Sequence, residues 1–267
     1  MLDLIQITND PAFARRCDAL EGFRLFVDLE RLGKAERQAG RNTFISAHEV
    51  EDVGRVKSVL CDSRLMVRVN PLNAGTPQEL DDVLAQGADL VMLPMFTSAE
   101  ELAEFADLVA GRAPIVPLLE TAGALASLDR WVGTRGLAEV FVGLNDLHLS
   151  LGQRFMFEPL ASGQLDAIAA AVHKQGLRFG FGGIARLDQG LLPGRDVLAE
   201  HLRLGSSSVI LSRTFHGETA APFEAELQKL RNGERELAGR SDAQVNADRV
   251  RIAAAIRRIA ESQPQTC

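Results

Sequence analysis

The sequence predicts a (β/α)8 barrel (a TIM barrel), because eight short apolar runs alternate with helical signals over a suitable length. The chain has 267 residues, and barrels of this type typically span about 250 residues. Runs this short and apolar are typical of strands buried on both faces, as in parallel sheets. The eight runs are residues 4–8, 25–30, 65–70, 90–94, 115–120, 140–145, 178–182 and 209–212.

Helical signals fill most of the gaps between these runs. Asp10 and Pro11 are typical of a helix start, because proline at the first helical position loses no hydrogen bond. Thr76 and Ser98 are each followed three residues later by glutamate, which is the pattern of a capping box. Apolar residues at helical spacing within residues 165–172 predict a further helix.

An open doubly wound sheet is the main alternative to the barrel. That fold normally carries a glycine-rich turn after its first strand, where a nucleotide phosphate binds. Residues 7–11 contain no glycine. The pattern therefore favours the barrel.

Two regions depart from the alternation of strand and helix. Residues 31–48 form a long polar connection after the second run, and such long loops are often functional. The chain becomes charged near its end, where residues 231–236 predict a linker and Ser241 predicts the start of a final helix. We therefore expect a barrel domain at residues 1–216 and a helical extension at residues 217–267, packed on the barrel or on a neighbouring subunit.

Composition and charge limit the classes of molecule that this protein is expected to bind and the compartment in which it is expected to occur. The formal net charge of −7 argues against binding to a phosphate backbone, so no nucleic acid partner is expected. The three cysteines include no closely spaced pair, which argues against a disulfide framework or a zinc ribbon. No apolar run approaches membrane-spanning length, and no basic leader precedes one. A cytoplasmic protein without a membrane partner is the expectation.

Two acidic residues follow the fifth and sixth apolar runs. Glu120 closes one run and Asp146 directly follows the next. The carboxyl ends of barrel strands meet at one face, where these enzymes carry out chemistry. Because Mg²⁺ prefers oxygen ligands and needs only one or two protein carboxylates, the pair predicts a metal site. The alternative is that both residues cap helices.

Other polar residues at the run ends predict substrate contacts. Arg68 could pair with a substrate carboxylate or stabilise an enolate oxygen, or it could form an ion pair with Glu30 or Glu120. Glu30 and Asn70 occupy corresponding positions and are candidate substrate-binding residues. His148 and His48 are the candidates for general acid–base catalysis.

Glycine-containing segments are candidate anion sites. The backbone N–H groups of Gly143, Leu144 and Asn145 could bind a small carboxylate. The glycines in residues 180–183 and the Gly-Ser segment at residues 204–208 flank the last two runs, where barrels often bind phosphate. Tight turns would explain the same glycines.

The same residues resemble the HpcH/HpaI aldolase and citrate lyase β-subunit family of the phosphoenolpyruvate/pyruvate superfamily. The matching segments are residues 26–30, 67–71, 87–94, 117–122 and 143–147. The resemblance implies a (β/α)8 barrel that uses Mg²⁺ (or Mn²⁺) held by Glu120 and Asp146, with Arg68 on the keto or enolate oxygen. It also implies assembly as a trimer or hexamer.

Two departures from the family pattern bear on mechanism. The family's hydroxy-acid aldolases have a histidine directly after the Asp-x-Glu of strand two, and this chain has Arg31 there. The second acid that the citryl- and malyl-CoA branch usually places there is also missing. The identity of the base and of the substrate is therefore open.

Three functional hypotheses follow. The first is a Mg²⁺-dependent carbon–carbon lyase of the class II aldolase type, acting on pyruvate or another 2-oxo acid and an aldehyde. The second is a citryl- or malyl-CoA-type thioester lyase or hydrolase, for which Lys34, Arg37 and Arg41 would contact the CoA phosphates. The third is a barrel without catalysis that serves as a binding or scaffold subunit.

Overall fold

A computed structural model describes residues 1–33, 47–215 and 222–263. Eight parallel strands follow one another in chain order and form a closed barrel, which confirms the predicted fold class. The strands are β1 (Asp3–Ile7), β2 (Phe23–Asp28), β3 (Arg64–Arg68), β4 (Leu90–Leu93), β5 (Ile115–Leu119), β6 (Glu139–Val142), β7 (Arg178–Ile184) and β8 (Ser208–Leu211).

Helices connect the strands and follow the last one. Those in the first half are α1 (Pro11–Asp18), α2 (Val50–Lys57), α3 (Thr76–Ala85), α4 (Ala99–Val109), α5 (Ala122–Ala126) and α6 (Leu128–Trp131). Those in the second half are α7 (Leu144–Ser150), α8 (Glu158–Ala161), α9 (Gln164–Lys174), α10 (Gly194–Arg203), α11 (Phe223–Ala238) and α12 (Asp242–Ser262). A 3₁₀ turn, Arg213–Phe215, follows β8.

Several helices begin where the sequence predicts. Asp10 accepts a hydrogen bond from the backbone N–H of Ala12 at 2.9 Å and caps α1. Ser98 caps α4 by accepting from the N–H of Glu101. Ser241 forms a complete capping box with Gln244 at the start of α12. Each contact satisfies a backbone donor that a helix start would otherwise leave unpaired.

The chain divides into two compact units, which we describe separately. The N-terminal unit is Asp3–Phe141, and the C-terminal unit combines Met1–Leu2 with Val142–Cys267. The N-terminal unit has a buried ion pair near the amino ends of its strands, where Arg24 contacts Glu139 at 2.7 Å and Asp3 at 3.1 Å. Arg24 and Glu139 are almost completely buried, so this pair contributes to the interior of the unit.

The predicted linker at residues 231–236 is wrong, since these residues lie inside α11. The Asn-Gly pair there is a strong local turn signal, but tertiary packing overrides it. A Cβ atom on Gly233 would lie 3.0 Å from Leu187 Cδ1, so glycine permits a close approach to that side chain. Arg231 and Glu234, two of the charged residues from which the linker was predicted, form an ion pair at 2.9 Å along the helix.

The final helix α12 packs within the C-terminal unit. Ile252, Ile256 and Ala260 are buried, and α12 contacts α8 and α10. The predicted domain boundary after residue 216 falls outside the described residues, so it stays a prediction. Among the helices that the structure describes, none is long and apolar enough to cross a membrane.

Candidate active site

Charged side chains from three strands of the N-terminal unit converge on Arg68. We call Asp28, Glu30, Arg68 and Glu120 the Arg68 cluster. Strand register places Asp28 beside Arg68, and Asp28 accepts two hydrogen bonds from the Arg68 guanidinium, each 2.8 Å long. Arg68 Nη1 lies 3.2 Å from Glu30 Oε2. Arg68 therefore forms the ion pair with Glu30 that the sequence offers as the alternative to a substrate contact. The main partner of Arg68 is Asp28.

The Arg68 cluster is buried and rich in negative charge. Asp28, Glu30 and Glu120 are each 2% exposed. Burial alone would lower the pKa of Arg68, but its hydrogen bonds to Asp28 and the charges of Asp28, Glu30 and Glu120 raise it above the ordinary value. Three carboxylates against one guanidinium leave the cluster short of positive charge when all are ionised. Such a site favours a bound cation.

Glu120 lies one residue past β5, as predicted, and a backbone donor fixes its carboxylate. Its Oε1 accepts a hydrogen bond from the N–H of Met95 at 3.0 Å. Met95 has a φ of +57°, a left-handed conformation that is uncommon for a residue with a side chain. The loop after β4 thus adopts a strained backbone conformation and directs an N–H at Glu120.

The segment after Glu120 is also tightly positioned. Thr121 donates from Oγ1 to the carbonyl of Phe96 at 2.7 Å and accepts from the N–H of Ala124 at 3.0 Å, capping α5. A Cβ atom on Gly123 would lie 2.4 Å from the carbonyl oxygen of Thr97. Only glycine permits this approach, so α5 packs directly on the backbone after β4.

His48 lies beside the Arg68 cluster and has a defined orientation. Its Nδ1 accepts the backbone N–H of Asp28 at 3.1 Å. Arg31 donates from Nη2 to the carbonyl of His48 at 2.7 Å. In the neutral ring, an accepting Nδ1 leaves the proton on Nε2. His48 is therefore suited to donate a hydrogen bond rather than to accept a proton.

Asn70 holds the start of the loop after β2 through hydrogen bonds at both ends of its side-chain amide. Its Oδ1 accepts from the N–H groups of Arg31 at 2.9 Å and Leu32 at 3.0 Å. Its Nδ2 donates to Glu79 at 2.8 Å. Both ends of the amide are thus engaged in holding the loop, which gives Asn70 a positioning role. Its predicted contact with substrate stays a prediction.

The structure corrects the predicted role of Glu79. Thr76 and Glu79 match a capping box, but α3 begins after Gly75 and has no side-chain cap. Glu79 instead accepts from Asn70, and its burial raises the pKa of the carboxyl despite these hydrogen bonds. A capping box and this tertiary contact have the same sequence pattern, so sequence reasoning missed the contact.

The C-terminal unit begins with the other predicted site residues. The sixth run was predicted to extend to Asn145, but β6 ends at Val142, and Leu144 begins α7. Asp146 is therefore in the first turn of a helix and not at a strand tip. The apolar run misled the prediction because Leu144 is buried by the helix as completely as by a strand. Gly143 occupies the N-cap position, and Asn145 and Asp146 are half-buried.

His148 lies on the same helix and has the opposite tautomer preference to His48. Its Nδ1 is 3.1 Å from the carbonyl of Leu144. Because a carbonyl only accepts, Nδ1 carries the proton and Nε2 carries the lone pair in the neutral ring. This is the form that a general base requires. The side chain is 8% exposed.

Neither glycine segment matches the anion site predicted for it. Residues 180–183 lie inside β7 and do not form a turn, although the pairing with β8 is irregular there. Gly182 has a φ of +52°, and a Cβ atom there would lie 3.0 Å from Leu144 Cδ1, so packing against α7 explains it. Residues 204–207 precede β8 and therefore lie at its amino end, away from the end where barrels bind phosphate.

The remaining candidates concern the long loop after β2 and the metal site. Lys34, Arg37 and Arg41, predicted to contact CoA, lie outside the described residues. Within the described ranges, no group of three or more His, Cys, Asp or Glu side chains is arranged to hold a metal ion. A Mg²⁺ ion needs only one or two protein carboxylates, with water and substrate as further ligands. The buried, oriented carboxylate of Glu120 suits such a cation.

A closed parallel barrel with buried charges past its strand ends defines the α/β-barrel class in which active sites form at the carboxyl ends of the strands. Sequence comparison identifies the family. The profile of the HpcH/HpaI aldolase/citrate lyase family matches residues 9–178. The chain belongs to this family, which confirms the resemblance.

Solved structures share the fold. An HpcH/HpaI aldolase/citrate lyase family protein from Burkholderia cenocepacia J2315 superposes with a TM-score of 0.63 at 16% identity, covering 86% of this chain and 94% of that one. The citrate lyase β subunit of Mycobacterium tuberculosis, complexed with oxaloacetate and magnesium, has a TM-score of 0.61 at 18% identity, with coverage of 88% and 97%.

A further structure from Mycobacterium tuberculosis, the protein CitE in complex with magnesium, acetoacetate and coenzyme A, has a TM-score of 0.60 at 18% identity. It covers 95% of this chain and 87% of that one. These identities are low, so the likeness concerns the fold. Comparison with curated protein sequences finds no match.

Proposed function

We propose that this protein is a Mg²⁺-dependent carbon–carbon lyase that cleaves or forms a bond next to the enolate of pyruvate or another 2-oxo acid. The Arg68 cluster is the observation that carries the proposal. It combines a largely buried guanidinium, 15% exposed, with an excess of buried carboxylates at the strand ends. Membership of a family that includes aldolases and citrate lyases supports the same reaction class.

Arg68 contacts the oxygen on which negative charge develops. Three of its five N–H groups point at Asp28 and Glu30, and the described contacts leave two for a substrate oxygen. The bidentate contact with Asp28 fixes the plane of the guanidinium before substrate arrives. A donor that needs no reorientation during the reaction stabilises the enolate more effectively.

Glu120 and Asp146 hold the metal ion in this proposal, with Mn²⁺ as a possible substitute for Mg²⁺. Glu120 is oriented by the N–H of Met95, and Asp146 supplies a second carboxylate from α7. Both are oxygen donors of the kind that Mg²⁺ prefers. The ion would supply Lewis-acid stabilisation of the enolate, a contribution of several kcal/mol.

The two histidines have different roles, one as the base and the other as a hydrogen-bond donor. His148, with its lone pair on Nε2, removes the proton from the substrate hydroxyl, so that the carbon–carbon bond breaks and the aldehyde leaves. His48, with its proton on Nε2, donates a hydrogen bond to a substrate oxygen beside the Arg68 cluster. This division follows from the backbone partner of each Nδ1.

The remaining predicted residues hold the substrate. The N–H groups of Gly143, Leu144 and Asn145 at the start of α7 bind the 2-oxo acid carboxylate. Glu30 orients Arg68 through their ion pair. We also propose that the protein assembles as a homotrimer or homohexamer.

The test is exchange of pyruvate methyl protons in D₂O, followed by proton NMR. The proposal expects the methyl signal to disappear with protein and Mg²⁺ but to persist when a chelator is added. Glu120→Gln should slow exchange by orders of magnitude because it weakens both the metal site and the charge beside Arg68. Glu100→Gln is the matched control, since Glu100 forms an exposed ion pair with Arg130 on the protein surface.

Two results would contradict the proposal. Full metal-dependent exchange in Glu120→Gln would remove Glu120 from the metal site. No exchange in the wild type, together with no Mg²⁺ binding by calorimetry, would favour a binding or scaffold subunit.

A CoA-thioester lyase or hydrolase is the second candidate. A structural neighbour complexed with acetoacetate and coenzyme A supports it. Turnover of a citryl- or malyl-CoA-type thioester without exchange of free pyruvate would favour this candidate over the aldolase.

A further inference from the structure

Arg186 is a buried arginine without a close anionic partner in the described part of the chain. It lies two residues past the carboxyl end of β7 and is 4% exposed. The nearest carboxylate oxygen in its ion pair, Glu226 Oε2, is 3.9 Å from Nε, which is too long for a hydrogen bond. Among the described residues, Nε has no hydrogen-bond partner.

Glu226 does not need Arg186 to balance its charge. Lys229 donates from Nζ to Glu226 Oε1 at 2.7 Å on the same helix. The pairing between Glu226 and Lys229 therefore leaves the guanidinium of Arg186 poorly compensated. A buried charge without close partners costs several kcal/mol unless something else pairs with it.

The backbone of Arg186 is held on three sides. Its N–H donates to Thr214 Oγ1 at 3.1 Å, and its carbonyl accepts from the N–H of Gln189 at 2.9 Å. A Cβ atom on Gly194 would lie 2.5 Å from the Arg186 carbonyl oxygen, so α10 starts directly against this backbone. These contacts fix the origin of the side chain in advance, as binding sites require.

Hydroxyl groups lie next to this position, past the end of β8. Ser212 Oγ and Thr214 Oγ1 are 2.9 Å apart, and the N–H of Ser212 donates to the carbonyl of Ile184 at 2.9 Å. The backbone of Arg186 and these two hydroxyl groups thus lie past the carboxyl ends of β7 and β8. In barrels, this is the end where ligands bind.

We propose that Arg186 is an anion-binding residue of the C-terminal unit and that its ligand is a small carboxylate. A guanidinium matches a carboxylate through two parallel hydrogen bonds. A carboxylate fits better than a phosphate dianion, because its single negative charge matches the single positive charge of one guanidinium.

The test measures anion binding to the full chain in chelator, so that metal and catalysis play no part. Thermal unfolding is followed with sodium acetate or sodium phosphate, against sodium chloride at the same ionic strength. Acetate should raise the unfolding temperature of the wild type. Arg186→Gln should weaken the apparent acetate affinity by about tenfold or more, the loss expected for a charge-assisted hydrogen bond, and Arg186→Lys should fall between.

Glu226→Gln provides an independent test if Arg186→Gln does not fold. Removing the nearby carboxylate should tighten acetate binding several-fold, because Arg186 then has no competing charge. If the pair is merely structural, Glu226→Gln will lower stability and leave acetate binding unchanged. An unchanged acetate affinity in Glu226→Gln would overturn the proposal. So would equal effects of acetate on the wild type and on Arg186→Gln, or stabilisation by phosphate alone. A negative result would leave the pyruvate exchange test unaffected.

Discussion

Arg68 links stability to chemistry through the same set of contacts. Its hydrogen bonds with Asp28 and its ion pair with Glu30 compensate for burying a guanidinium. The same contacts fix the direction of the donors that the proposed reaction uses. Removing one partner leaves part of a buried charge unpaired, which is more damaging than losing a surface ion pair.

We predict that Asp28→Asn lowers the free energy of unfolding by about 3 kcal/mol, the loss typical of a broken buried pair. Urea denaturation at pH 7 measures it. Asp81→Asn is the control, because the exposed ion pair between Asp81 and Arg112 should contribute less than about 1 kcal/mol. Equal losses in the two variants would show that Arg68 does not depend on Asp28.

His201 is a buried histidine that resists protonation. It stacks on Phe181 with ring centroids 3.7 Å apart, and its Nδ1 is 2.9 Å from Ser206 Oγ. Its Nε2 has no hydrogen-bond partner among the described residues. Burial lowers the pKa of His201 to about 3.

This pKa predicts a pH dependence of stability. Between pH 6.5 and about 3 the unfolded chain binds a proton at this position and the folded chain does not, so stability falls as the pH falls. The slope is about 1.4 kcal/mol per pH unit well below pH 6.5. We expect His201→Gln, which cannot be protonated, to lose less stability than the wild type between pH 7 and pH 5 in urea titrations. Equal losses of stability in the wild type and in His201→Gln would contradict the lowered pKa of His201.

At the scale of elements, the position of α5 depends on a glycine. Gly123 allows the helix to approach the carbonyl of Thr97, and Thr121 ties the same loop through Phe96. Glu120 lies directly before this junction. The helix and the loop after β4 therefore fix the candidate metal ligand together.

Gly123→Ala should push α5 away from the loop. We expect a loss of about 1–3 kcal/mol in unfolding free energy, typical of an overpacked site, and weaker Mg²⁺ binding by calorimetry. Gly183→Ala is the stability control, because a Cβ atom there would meet its nearest neighbour at an ordinary 3.6 Å. If Gly123→Ala were as stable as this control, the close approach would not matter.

At the scale of the whole molecule, a ligand that binds only the folded state stabilises it by mass action. Mg²⁺ at ten times its dissociation constant should add about 1.4 kcal/mol to the unfolding free energy. Calorimetric melting should show an upward shift with Mg²⁺ that is lost in Glu120→Gln and kept in Glu100→Gln. A shift that survives in Glu120→Gln would place the ion elsewhere.

Sequence reasoning predicts the fold of this molecule well and its contacts less completely. The apolar runs identify the eight strands because strands buried on both faces need continuous apolar residues. Glu79 and Gly233 show the limit, since a local pattern of a cap or a turn is overridden by distant partners. Arg186 carries no local signal, because only its burial distinguishes it from a surface arginine.

The left-handed backbone of Met95 has a consequence for engineering this protein. Residues with a side chain pay roughly 1–3 kcal/mol for such a conformation, whereas glycine adopts it freely. A saturation library at this codon, screened only for heat resistance, should enrich glycine. When the same library is screened for turnover, aspartate at this position should become rarer. Aspartate tolerates the conformation, but it would add a carboxylate next to Glu120, a fourth acid beside the three of the Arg68 cluster.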